Sequence, residues 1–196
     1  MLGDTLKNHN IILASASPRR QQFFLELGIA VTIELKPVKE EFPKRLVHFE
    51  ISDYLAQLKA IPFIDTLKPS DILITSDTIV WHQSKALGKP KNAEEAFEMI
   101  ASLSNATHEV ITSVCFTKIG HQITQNAVTK VTFKALTDDE IHHYINTYKP
   151  FDKAGAYGIQ EWIGLIGVTK IEGSYFNVMG LPTHLVYSSL NEIATI

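Results

Sequence analysis

The chain has 196 residues, 45% of them hydrophobic and 20% charged, which is enough apolar content for a sizeable core and excludes a disordered or fibrous protein. Ten glycines and eight prolines are ordinary usage and exclude collagen-like or linker-dominated architecture. A formal charge of −3 supplies no global basic field, so neither nucleic acid nor a membrane surface is an expected partner, and any polyanion site must be a local cluster of cations.

The start of the chain lacks a basic stretch followed by an apolar run, so no secretory signal is expected, and no apolar run approaches the about 20 residues that span a bilayer. A cytoplasmic protein is the expectation. The lone Cys115, between Val114 and Phe116, reads as a packed thiol in a reducing compartment. Residues 10–15 are an apolar run suited to a buried strand. Ser17-Pro18 then supply an N-cap and a proline at the first helical position, predicting a helix from 18 to 27 that Gly28 ends in a left-handed conformation. Residues 30–35 read as a strand and 37–44 as a polar loop. Val47, Ile51, Tyr54, Leu55 and Leu58 repeat at helical spacing, with Lys59 at the edge of the buried face.

Residues 71–76 read as a buried strand ending at Asp77, with 78–81 extended into a turn at 82–85. Asn92 and Glu95 resemble a capping box for a helix through Leu103. Residues 110–118 and 127–135 are β-branched and aromatic, as strands are, and are joined around Gly120. Thr137 and Glu140 cap a helix that ends before Pro150, and Leu181-Pro182 opens a last helix to Ile193. Helices and strands alternate with no composition break and no repeat, predicting one mixed α/β domain over 1–196, two-lobed around a cleft.

Several stretches carry chemistry, each with a bland alternative. Ser15-Ala16-Ser17-Pro18-Arg19-Arg20 sits at a strand-to-helix junction, where hydroxyls, guanidiniums and first-turn amides suit a phosphate; the alternative is a plain cap beside solvated arginines. Asp77, at the expected strand end, is placed to hold a divalent cation or take a proton from water, or simply to form a turn. In Leu87-Gly88-Lys89-Pro90, Lys89 offers a point charge to phosphate or to solvent; Gln83 and Pro90 exclude a Walker A loop. Residues 152–160 combine small side chains with Gln160, a donor and acceptor for a planar ligand, or form a tight turn. The eight histidines form no metal box, His142 and His143 facing different sides of their helix.

Taken together, these segments resemble the Maf family of nucleoside triphosphate pyrophosphatases. Residues 12–20, Ser76-Asp77-Thr78-Ile79-Val80, Leu87-Gly88-Lys89-Pro90, Leu103-Ser104 with His108 and Thr112, residues 152–160 and residues 173–182 follow the family's motifs in order from Ile11 to Leu190. The resemblance implies a twisted mixed sheet flanked by helices, as in inosine-triphosphatase-like proteins. It also implies cleavage of a nucleoside triphosphate between the α and β phosphorus. Asp77 matches the proton acceptor and a ligand of a divalent metal, Mg²⁺ or Mn²⁺, and Glu40 a second carboxylate at that metal. Ser15, Arg19, Arg20, Lys59, Thr78, Lys89 and Gln160 match substrate-binding positions. Arg19, Thr78 and Gln160 resemble the branch acting on dTTP and UTP rather than the one acting on 7-methyl-GTP, and Gln160 suits the carbonyl and imide edge shared by uracil and thymine. A homodimer is the implied assembly. A nucleotide-binding regulator of cell division without catalysis is the competing reading. The chain departs from the family pattern at Lys39, at Asn105 and at Glu161-Trp162, where Gly is typical after Gln160.

Overall fold

Three consecutive apolar side chains, Ile11, Ile12 and Leu13, are buried on both faces of the first strand, the pattern of a strand inside a parallel sheet. The computed structural model describes residues 2–195; Met1 and Ile196, the ends of the expected domain, lie outside them. In chain order the elements are α1 (Leu2–Leu6), β1 (Asn10–Leu13), α2 (Pro18–Glu26), β2 (Thr32–Ile33), α3 (Phe49–Ala60), β3 (Asp71–His82) and β4 (Lys85–Leu87). They continue as α4 (Ala93–Leu103), β5 (Thr107–Lys118), β6 (His121–Phe133), α5 (Asp138–Tyr148), α6 (Trp162–Gly167), β7 (Val168–Glu172), α7 (Tyr175–Val178) and α8 (Thr183–Ile193). The seven strands form one mixed open sheet in the order β2-β1-β3-β5-β6-β7, with β4 paired to β3. β1 runs parallel to β2 and β3, while β3 with β4 and β6 with β7 are antiparallel. The expected α/β class is observed.

The chain divides into two compact units. One comprises the residues up to Asp77, 112–127 and those from Gly180 on; the other comprises 78–111 and 128–179. In the first, Ile12, Ala60, Phe63 and Leu73 pack together beside α3, and α1 lies against α8. In the second, α4, α5 and α6 bury Ile100, Leu103, Ile141, Tyr144 and Ile163 against Val131 and Phe133. Each such side chain contributes roughly 1.5–3 kcal/mol by leaving water.

Local chemistry explains the helix ends. Ser17 accepts the Arg20 N–H to cap α2, and Gly28 follows it at φ 69. Thr137 and Glu140 form both halves of the capping box of α5. Asn92 accepts the Glu95 N–H, but the Glu95 carboxylate takes the Lys91 N–H, one residue ahead of the cap.

β3 corrects the sequence reading, because it does not stop at Asp77 but runs unbroken from Asp71 to His82. Ile72, Ile74, Thr75, Thr78, Ile79 and Val80 are β-branched with no Gly or Pro among them, so propensity carries the strand through the polar Ser76-Asp77-Thr78 step. β6 likewise starts at His121 rather than 127, because Gly120, at φ 72, closes a tight connection from β5. Val47 is exposed ahead of α3 instead of on its buried face. His142 stacks on Phe97 and His143 packs edge-on to Trp162, as their expected divergence requires. Cys115 is buried. No helix among the described residues is long and apolar enough to cross a membrane.

His108, on β5 and 2% exposed, shares a 2.7 Å hydrogen bond with the Tyr157 hydroxyl and packs against the Phe133 ring. Burial, with the nearby His82 adding to it, pushes its pKa down from 6.5 to about 3. The unfolded chain therefore binds a proton that the folded state refuses, so this group's stability is intact above pH 6.5 and is lost as pH falls towards 3. Substitution His108→Gln, which keeps a partner for Tyr157, should flatten the fall in urea-unfolding free energy between pH 6.5 and 5 by up to about 1.4 kcal/mol per pH unit. An unaltered slope would show that the imidazole is not the source.

Candidate active site

β1 and β3 set the site's frame. Leu13 pairs with Ile74 and the Ala14 N–H donates to Ile74 O, so Ser15 and Asp77 follow close on the last paired positions. From Ser15 the chain turns into α2, which carries Arg19 and Arg20 in its first turn. β3 is also tied to α3, because Thr75 Oγ1 donates to Ala56 O at 2.6 Å. Lys59 lies one helical turn beyond Ala56, and that tie aims its ammonium along β3. Its Nζ reaches Asp77 Oδ1 at 2.6 Å and Ser76 O at 3.5 Å. Glu40, from the irregular segment before α3, brings Oε1 to 3.2 Å from the same nitrogen.

Asp77 is 6% exposed. Burial lifts its carboxyl above the usual carboxylate range and the Glu40 charge adds to that, while the Lys59 charge and hydrogen bond, then Arg20, pull it back. Arg20 donates Nε to Gly180 O at 2.8 Å and Nη1 to Ser76 O at 2.9 Å. Burial holds its pKa below the ordinary arginine value; Asp77 and Glu40 oppose this, and Arg19 adds to it. Ser15 is buried, its hydroxyl accepting the Ser17 N–H and its carbonyl accepting Gln21 Nε2. Ser15, Arg19, Arg20, Glu40, Lys59 and Asp77 thus lie within one unit, and the five charged groups act on one another there. Arg20, expected on substrate, directs two of its donors to backbone carbonyls and braces the residue just before Asp77.

The donor chemistry also fits a divalent cation. Asp77 and Glu40 converge on a single small positive centre, the Lys59 ammonium, at 2.6 and 3.2 Å. Two carboxylates completed by phosphate oxygens suit Mg²⁺, which keeps few protein ligands. Among the described residues no three or more His, Cys, Asp or Glu side chains gather into a metal cluster.

Thr78, Lys89 and Gln160 belong to the other unit. Thr78 follows Asp77 on β3, so its side chain leaves the opposite face of the strand. Lys89 and Gln160 are both exposed, and the Gly155 N–H donates to Gly88 O at 3.0 Å, which fastens the Lys89 turn to the loop carrying Gln160. Gly155 stands at φ +67 with Val80 so close that a β-carbon would meet Cγ2 at 2.8 Å. Sequence reasoning did not find the group around Glu161, where Lys153 Nζ lies 3.1 Å from Oε1 and the Tyr144 hydroxyl donates to Oε2. The lysine sits inside the motif and the acidic residue directly follows it, but Tyr144 comes from α5, which no spacing reveals.

Residues 10–193 match the family described as Maf-like protein. A dTTP/UTP pyrophosphatase of Flavobacterium johnsoniae is 61% identical over 193 residues, covering 98% of this chain and all 100% of that protein. One of Christiangramia forsetii with the same name is 59% identical over 98% of each chain. Another, of Phocaeicola vulgatus, is 49% identical over 97% of this chain and 99% of its own.

Because two charge-assisted hydrogen bonds are at stake, Arg20→Met should destabilise the fold by about 3 kcal/mol in urea unfolding, with Arg20→Lys recovering only part. Parental stability in Arg20→Met would show that the brace carries no load.

Proposed function

This chain belongs to the Maf-like protein family, and on that premise we propose that it hydrolyses nucleoside triphosphates, dTTP and UTP foremost, to the monophosphate and pyrophosphate. The single observation that carries the chemistry is the buried Asp77 carboxylate, 2.6 Å from Lys59 and in the field of Arg20 and Glu40. The full-length relatives named dTTP/UTP pyrophosphatase support the substrate. With the lone Cys115 buried, a reducing cytoplasmic setting fits, and a homodimer is the assembly the reading carries.

The substrate brings about four negative charges, which bare carboxylates repel and cations attract. Arg19 and Lys59 bind its phosphates, and Arg19 holds the charge that grows on pyrophosphate as it leaves. The start of α2 at Ser17-Pro18 adds amide dipoles of the same sign. Asp77 and Glu40 are the residues that would hold Mg²⁺ or Mn²⁺, which supplies charge neutralisation and polarisation at the α-phosphorus. Asp77, made more basic by burial, takes the proton of a water whose oxygen forms the new bond to the α-phosphorus. The bond from that phosphorus to the bridging oxygen breaks opposite it. Lys59 opposes that burial, its charge and hydrogen bond favouring the carboxylate form. Gln160 reads the pyrimidine, its amide meeting one carbonyl and the imide N–H.

Asp77→Asn should lower pyrophosphate release from dTTP by about two orders of magnitude or more, with the fold intact by circular dichroism. Turnover near the parental rate removes the assignment. Gln160→Ala should raise activity on CTP relative to UTP, and an unchanged ratio counts against base reading by this side chain.

A further inference from the structure

We propose that Glu161 is a positioning residue for base selectivity, its carboxylate locking the turn on which Gln160 stands. This rests on the base-reading role given to Gln160. The Glu161 N–H donates to Gly158 O at 3.0 Å, closing a four-residue turn with Ile159 buried and Gln160 exposed at its tip. A long amide on an exposed tip selects a base only if its backbone is fixed, because a selective contact tolerates little displacement.

The Glu161 side chain supplies that fixity from both oxygens. Oε1 receives Lys153 Nζ at 3.1 Å, and Oε2 receives the Tyr144 hydroxyl in a short hydrogen bond. The same hydroxyl accepts the Gly158 N–H at 3.0 Å, so the first residue of the turn and the carboxylate of the last meet on one phenol. Tyr144 is fully buried on α5 between the helix's core positions Ile141 and Ile145, which makes it a rigid post. Burial and the adjacent Glu161 charge raise its pKa and keep the phenol protonated as a donor. Lys153 is 9% exposed and is held on its other side by Asp152 Oδ1 at 2.8 Å. Beyond the turn, Glu161 O accepts the Gly164 N–H at 2.9 Å and starts α6.

Gly158 is an independent sign that the arrangement is built. A β-carbon there would lie 2.8 Å from Glu161 Cδ and 2.9 Å from Oε2, so the carboxylate fills space that only glycine leaves. The motif's usual glycine after Gln160 has no side chain to make these contacts, so the lock belongs to this chain's own departure from the pattern.

The test is steady-state kinetics on UTP, dTTP and CTP with Glu161→Ala, Glu161→Gln, Tyr144→Phe and Gln160→Ala, each checked for folding by thermal melting. Glu161→Ala should raise KM for UTP and dTTP about tenfold and cut the preference for UTP over CTP about as much, with kcat changing less than either. Glu161→Gln keeps one acceptor oxygen, for Tyr144 or for Lys153 but not for both, and should restore part of both effects, and Tyr144→Phe should shift KM and preference in the same direction as Glu161→Ala. A uniform loss of kcat at parental KM and preference marks a purely structural role and overturns the proposal. Selectivity lost in Gln160→Ala but kept in Glu161→Ala and Tyr144→Phe overturns the lock alone. Selectivity kept in Gln160→Ala overturns the reading of Gln160, and the lock with it.

Discussion

A carboxylate placed inside a β-strand is stable as an anion only where a cation is brought to it, since desolvation without pairing costs several kcal/mol. In this protein the pairing of Asp77 with Lys59 meets that requirement, and much of the first unit is arranged around it. The Thr75 hydroxyl on the Ala56 carbonyl sets the phase of α3 against β3. That phase decides which turn of the helix faces Asp77, and it places a lysine there. Arg20 performs a second task from α2, fixing the Ser76 carbonyl and drawing Gly180 to it. The same ammonium that pairs Asp77 also gathers Glu40, so two carboxylates stand together despite the repulsion between them.

The second unit meets a different requirement, that of fixing the backbone of the loop that carries Gln160. Its means are steric as much as polar. Gly155 lets Val80 come close and ties to Gly88, while Tyr144, Lys153 and Glu161 form a half-buried polar group in which each carboxylate oxygen has a donor. A polar group of this kind is specific because a partner left without its hydrogen bond costs about 1–3 kcal/mol.

What is legible in the sequence is what depends on near neighbours. The caps at Ser17 and at Thr137 with Glu140 are local chemistry, and they fix the starts of α2 and α5 correctly. The charged residues of the first unit are legible as residue types within motifs whose order resembles a known family. Their partnerships are not, because Lys59 and Asp77 stand 18 residues apart and meet only once α3 packs on β3. The continuity of β3 through Asp77 is hidden for another reason, although 78–81 read as extended. Three polar residues in succession read as a terminus, yet their neighbours are β-branched, and Thr75 and Asp77 find partners in the Ala56 carbonyl and Lys59. α1, α6 and α7 are too short for a helical period to show.

The steric fit of Gly158 beneath Glu161 also constrains how such a loop can change. A methyl group at 158 meets the carboxylate, so it is admitted only if the side chain at 161 is shortened or swings away from Tyr144 and Lys153. The two positions are therefore coupled, and altering 158 first drives the carboxylate from its partners. Rebuilding this loop is a problem in which the side chain at 161 has to move before the turn itself can change.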